Sequence, residues 1–290
     1  MQHVFDAFSL GSLDAMLALG IALVFGVMHL VNFAHGELVM IGGFTIFLTA
    51  GLPWPMIVII VLLVVAIAAL LMERIAFRPV RGADPTTLLV TSFAVSILLQ
   101  SVAAIIWGRR AKGVDFASGL SEPVTIFGTR IAIVDLVSIG VAVVLVAGLA
   151  IFLTRTATGT AMRAAAEDFV MARLLGVSAN RVIAAAFALS GILAGAASLL
   201  LVASTGTIQS NMGLQPVLVG FVATVIGGVG SLVGAALGGF LLGVLTVTMQ
   251  VALPLEARGY RDAAVFAIVI VILLVRPSGL VSSAALEERV

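Results

Sequence analysis

The chain is a succession of apolar runs, most of them close to the thickness of a lipid bilayer, parted by polar breaks. They fall at roughly Phe8–Met28, Leu38–Ala50, Pro53–Met72, Thr86–Trp107, Ile131–Leu153, Val182–Ala203, Val217–Val251 and Ala263–Val275. A helix that crosses the hydrocarbon core needs about 20 apolar residues. The pattern predicts an all-α membrane protein: a polytopic bundle of about eight transmembrane helices forming a single domain over 1–290. The second run is short for a full span. The seventh is too long for one straight helix and is interrupted by Gly227, Gly228 and Gly230. Broken or re-entrant segments are therefore expected.

Composition agrees. Hydrophobic residues make up 62% of the 290 and charged residues 10%, against roughly 25% charged in ordinary soluble domains. A soluble fold of this size could not hide so much apolar surface, and both halves are equally apolar. A net charge of +1 offers no basic surface for nucleic acid. The absence of cysteine excludes disulfides, thiolate metal sites and cysteine nucleophiles. Lys112, the single lysine, precedes Gly113, so a Gly-Lys-Ser/Thr nucleotide loop is missing. The N-terminus carries Asp6 and Asp14 where a cleavable signal would carry Lys or Arg, and its first run reads as a retained span.

Three breaks hold most of the charge. Glu73–Pro85 carries Arg74, Arg78 and Arg81, with Pro79 and Pro85 expected to stop a helix. Gly108–Arg130 is long and turn-rich, and its Val124–Thr129 piece has the residues of a small hairpin. The third runs over about 155–181. Counting spans with the positive-inside rule puts the N-terminus outside and Arg74, Arg78, Arg81, Arg155, Arg163, Arg173, Arg181, Arg276 and Arg289 inside. The Arg109, Arg110 and Lys112 cluster lies on the opposite side and weakens that bias.

Small residues crowd the C-terminal half: Gly191 with Gly195, Gly230 with Gly234 and Gly238, and Gly239 with Gly243 repeat every fourth position. Such spacing bares one helix face to a close neighbour. Two readings stand: packing within one subunit, or a tight interface or broken helix along a path.

Val31–Phe44 is the most unusual apolar-flanked stretch. Asn32, His35 and Glu37 lie together, followed by Gly42 and Gly43. One reading makes Asn32 a helix cap with His35 and Glu37 in the first turn at the membrane surface. The other makes this a broken helix whose polar end faces a translocation path. Val222–Phe240 is a candidate counterpart, since paired interruptions point to inverted repeats with a site between them. Its path candidates are Thr224, Gly227, Gly228, Gly230 and Ser231.

The third break has a helical logic. Met162, Ala165, Phe169, Ala172 and Gly176 form an apolar stripe, and Arg163 can pair with Glu167 one turn on. Gly176 is a natural stop and Ser178 or Asn180 a restart. Ala and Gly give the stripe little area for lying on a bilayer, so a protein groove is the better host.

Taken in order, VNFAHGELVMIGGF, RIAFRPVRG, AEDFVMARLLGV, VIGGVGSLVGAALGG and YRDAAVFAIVIVILLVRPSGL resemble the permeases of branched-chain amino acid ATP-binding-cassette importers. The likeness runs from Gly11 to Leu280 and is nearest to the shorter, LivH-type subunits. It implies a multi-pass permease of a bacterial inner membrane, with the N-terminus periplasmic and the C-terminus cytoplasmic. It also implies a second, LivM-like permease subunit, two ATPase subunits that hold ATP and Mg²⁺, and a periplasmic solute-binding protein. This chain itself carries no cofactor and is not an enzyme. By motif match Arg163, Glu167, Asp168, Ala172, Leu175 and Gly176 carry over as the ATPase contact, and Asn32, His35 and Glu37 as the polar cluster of the broken segment. The lysine that often precedes the V-[LI]-G-G-x-G motif is missing here, and the outer loop after Trp107 is shorter. Related permeases serve urea, short amides and other small polar solutes, and these remain alternative cargoes. An ion-coupled transporter would need acids such as Glu37 or Asp135 at a coupling site; a passive channel would conduct alone.

Overall fold

The computed structural model describes residues 2–116, 123–126 and 129–281. Eleven α-helices carry the described fold: α1 (Gln2–Met28), α2 (His35–Thr49), α3 (Trp54–Met72), α4 (Pro85–Trp107), α5 (Ile133–Arg155), α6 (Ala157–Glu167), α7 (Phe169–Leu174), α8 (Ala179–Thr205), α9 (Leu214–Gly227), α10 (Leu232–Ala252) and α11 (Arg261–Val275). Strands are minor: β1 (Lys112–Gly113) pairs with β4 (Thr207–Ile208), and β2 (Pro123–Ile126) with β3 (Thr129–Ala132), both antiparallel. The second pair is the expected hairpin, and its turn at 127–128 lies outside the described residues, as does Arg289.

Among the described residues, six helices are long and apolar enough to cross a membrane: α1, α3 with the turn that follows it, α4, α5, α8 and α10. The apolar helices α2 and α9 have 15 and 14 residues. At 1.5 Å per residue neither reaches across a core of about 30 Å. The long seventh run divides at Gly227–Ser231 into α9 and α10. The proline-bearing break behaves differently from expectation. The chain leaves α3 through a π-helical turn (Glu73–Phe77) and a 3₁₀ turn (Arg78–Val80). Pro85 then opens α4 instead of ending a helix, because its missing N–H is no loss at the first helical position.

Helices α1 and α8 form the centre; 78% and 67% of their most apolar windows are buried, against 17% for α4. Glycine makes this closeness possible. Gly239 and Gly243 of α10 lie against the backbone of Ala15 and Gly11 in α1, and Gly191 of α8 lies against Ala66 and Ala69 of α3. Gly234 and Gly238 meet Gly227 and Ala223 of α9. These small-residue repeats are used for packing within the subunit.

The long helices give the bundle two distinct ends. The strand pairs gather between α4 and α5 and after α8, at one end. Helices α6 and α7 lie between α5 and α8, at the other.

Candidate functional site

Helix α2 begins deep inside the bundle, and local chemistry explains why. His29 adopts a positive φ of 52° as the chain leaves α1. Asn32 then closes a tight turn: its Oδ1 accepts from the Ala34 N–H at 3.1 Å, and its Nδ2 approaches Met72 Sδ at 3.9 Å. The helix cap is therefore Ala34, with no side-chain cap bond, and Asn32 shapes the turn ahead of it.

His35 and Glu37 occupy the first turn, as expected, but in the bundle interior and not at a membrane surface. Both are at most 1% exposed. His35 Nδ1 hydrogen-bonds Ser190 Oγ, 3.0 Å away near the midpoint of α8, and its ring packs over Gly20 of α1. Glu37 Oε1 accepts from Ser96 Oγ at 2.8 Å and Gln100 Nε2 at 2.7 Å, both on α4. The same Gln100 nitrogen donates to Ser96 Oγ at 3.2 Å. This cluster ties the otherwise loosely attached α4 to α2. Two aromatic stacks help it: Phe33 on Phe93 at 4.3 Å and Phe44 on Trp107 at 4.5 Å.

The start of α9 meets the start of α2 head to head. A methyl on Gly36 would strike the Gly213 carbonyl, and a methyl on Gly213 the Gly36 carbonyl. Gly42 leaves room for Ser198, and Gly43 for Met212 just before α9. The partner of the first broken segment is thus the Gly213 turn. The Gly227–Ser231 turn lies at the far end of α9. There Gly227 and Gly228 are buried, Gly228 has φ 111°, and the C-terminal segment closes over them through Leu280 N–H to Ile226 O and Val281 N–H to Gly227 O. Ser231 caps α10 by accepting from the Gly234 N–H at 3.0 Å. Thr224 donates to Ala18 O and Gly220 O. Thr224 and this turn sit in the packing seam of α1, α9 and α10, apart from Asn32, His35 and Glu37.

At the opposite end from the strands, the charged segment is two helices. Asp168 breaks them and caps α7, its Oδ1 accepting from the Met171 N–H at 2.8 Å. Gly176, with φ 90°, ends α7: its N–H bonds Arg173 O, and the Val177 N–H reaches back to Ala172 O. Of the predicted stripe, Met162, Ala165 and Ala172 are buried against the chain's own helices, Phe169 is half-buried and Gly176 is exposed. The exposed apolar face is instead Val170, Met171, Leu174 and Leu175, 53–80% exposed. The predicted Arg163–Glu167 pair is not formed, because Arg163 Nε donates to Leu153 O at 3.0 Å and pins α6 to the end of α5. Close by, Arg81 ion-pairs with Glu73 and donates to Asn180 Oδ1 at 2.6 Å, linking the α3–α4 turn to the start of α8. Burial lowers the Arg81 pKa from its ordinary value.

Ser96, Gln100 and Ser190 were not singled out in the sequence. The available signal was Ser96 and Gln100 one helical turn apart within an apolar run. Asp14, which the first apolar run Phe8–Met28 contains, is buried within α1 at 5% exposed.

A bundle of long apolar helices with two half-length helices meeting at its centre is the architecture of a multi-pass membrane transport protein. The chain belongs to the family described as branched-chain amino acid transport system / permease component, whose profile matches residues 4–275. It is 33% identical over 305 residues to the high-affinity branched-chain amino acid transport system permease protein LivH of Salmonella typhimurium, covering 99% of this chain and 97% of the relative. The corresponding BraD protein of Pseudomonas aeruginosa is 31% identical over 307 residues with the same coverage. The LivH of Escherichia coli K12 is 32% identical over 305 residues, again covering 99% and 97%. No solved structure matches the chain.

Proposed function

We propose that this permease imports branched-chain amino acids by alternating access, driven by two separate ATPase subunits that dock on α6 and α7. A periplasmic binding protein delivers the solute, and a LivM-like second permease subunit completes the path. ATP and Mg²⁺ belong to the ATPase subunits. The N-terminus and the strand-bearing end face the periplasm, and the C-terminus and α6–α7 face the cytoplasm. The relatives' names support the cargo.

One observation carries the mechanical part: a short helix, locked at its start by Asp168 and at its end by Gly176, presents Val170, Met171, Leu174 and Leu175 outward. Apolar side chains held rigidly on an aqueous surface are the features of a protein contact. Glu167 and Leu175 lie on that surface. Asp168, Ala172 and Gly176 hold its shape, and Arg163 couples it to α5. Closure of the ATPase pair would press on α7, and the packed helices would carry the displacement as rigid bodies.

The test is co-purification and uptake with Leu174→Asp/Leu175→Asp. Recovery of the ATPase subunits and leucine uptake should each fall by about tenfold or more, as for loss of an interface hot spot of about 2 kcal/mol, while the membrane part still folds. Normal assembly and uptake would refute the contact. Uptake of urea or short amides in place of leucine would replace the cargo and keep the mechanism.

A further inference from the structure

One face of the chain combines groups that lipid does not tolerate. The backbone ahead of α9 is non-helical where it meets the centre of the bundle, and Asn211 and Gln215 are exposed on either side of Gly213. Irregular backbone and amide side chains at membrane depth persist only against protein or water. Farther along α9, Phe33 bridges α4 and α9, stacked on Phe93 at 4.3 Å and tilted against Phe221 at 5.5 Å. Phe93 is 42% exposed and the other two rings are half-buried. Gln100 lies seven residues beyond Phe93, two turns along the same side of α4.

Gln100 is oriented for a task. Its amide nitrogen is committed to Glu37 Oε1 and Ser96 Oγ, so both N–H bonds are used, and the carbonyl oxygen has no hydrogen-bond partner among the described residues. Glu37 and Ser96 are themselves buried, and they hold the amide from behind. A fixed carbonyl acceptor above an aromatic wall suits a zwitterion with an aliphatic side chain. The oxygen takes an N–H from the ammonium group, and the rings pass the apolar part without a strong bond.

We propose that the face carrying Gln100, Phe93, Phe33, Phe221 and Gln215 is this subunit's wall of the solute path, and that the Gln100 carbonyl oxygen receives the ammonium group of the transported amino acid. Glu37 and Ser96 are positioning residues for that amide. The proposal rests on the amino-acid reading above for its ligand, but not for the path wall itself.

The lack of native cysteine allows a direct test in the assembled transporter. Phe93→Cys, Gln100→Cys and Gln215→Cys should react with a small water-soluble methanethiosulfonate at least about tenfold faster than Val144→Cys, which sits 69% exposed among apolar neighbours on α5. Added leucine with its binding protein and ATP should slow the Gln100→Cys reaction. In proteoliposomes Gln100→Leu should raise the half-saturating leucine concentration about tenfold, the loss of one hydrogen bond to a charged group, with ATP hydrolysis retained. Glu37→Gln should give a smaller shift of the same kind, since an amide oxygen can still accept from Gln100. Equal labelling at all four positions, or unchanged leucine uptake by Gln100→Leu, would overturn the proposal. Fast labelling of the three positions in a transporter that moves no amino acid would remove the cargo and leave the path wall standing.

Discussion

The molecule has two glycine-marked interruptions, and they are built on opposite principles. At Asn32–Glu37 the chain places ionisable side chains in the bundle centre and partners one atom of each from other helices, Ser190 for His35 Nδ1 and Ser96 and Gln100 for Glu37 Oε1, while His35 Nε2 and Glu37 Oε2 are buried without a partner among the described residues. At Gly227–Ser231 it places no ionisable group at all. Backbone from the C-terminal segment closes over the turn, and a serine caps the next helix. The first arrangement is costly, because each buried polar group must keep its partner. The second is the ordinary way to join two packed helices. Side-chain chemistry in the bundle interior therefore distinguishes the two breaks, and glycine alone does not.

The sharpest way to break this comparison is steric. Gly36→Val places a branched side chain where the Gly213 carbonyl stands, and overpacking of this kind costs about 3 kcal/mol or more when backbone must move. Thermal unfolding of the purified complex should show it as the least stable variant. A stable, active Gly36→Val protein would mean that the two half-length helices need not touch.

Next comes the polar cluster. Glu37→Ala removes the acceptor of two hydrogen bonds and leaves Ser96 and Gln100 on α4 with only the bond between them, a penalty of about 2 kcal/mol. Uptake should fall more than stability, because Gln100 loses its orientation. Ser231→Ala at the other break removes one cap, about 1 kcal/mol. It should lower the melting temperature slightly and leave the half-saturating leucine concentration unchanged. If Ser231→Ala changed solute handling and Glu37→Ala did not, the roles of the two breaks would be reversed.

Much of the architecture was legible because lipid imposes a length rule. Apolar runs of bilayer length map onto α1, α3, α4, α5, α8 and α10, and the short second run onto the half-length α2. The stop at Gly176 followed from its left-handed backbone. Facing was harder. In the α6–α7 segment the evenly spaced stripe of Met162, Ala165 and Ala172 marks the side packed on the chain itself, while the outward apolar side begins only after Asp168 resets the helix. A cap in mid-segment shifts the register of every face beyond it, and spacing read straight through the cap misses this. The pairing of the two breaks was harder still. The mate of Gly36 is Gly213, which lies before its helix and outside any V-I-G-G motif. Ser96, Gln100 and Ser190 are polar residues of ordinary kind, given meaning only by what the fold brings opposite them.

The smallest effect is the most discriminating for the second break. Thr224 lies at the α1–α9 seam, its hydroxyl donating to Gly220 O at 2.8 Å and less closely to Ala18 O at 3.2 Å. The shorter bond lies within its own helix, to a carbonyl one turn back, and adds little to holding α1. Thr224→Val keeps the shape of the side chain and removes only the hydroxyl. Interhelical hydrogen bonds in membrane proteins average about 0.6 kcal/mol, so the variant should differ from the parent by about that amount, with unchanged uptake. A loss of several times this size, or a change in which solutes are carried, would show that the seam acts through its side chain. The contrast with the Glu37 cluster would then disappear.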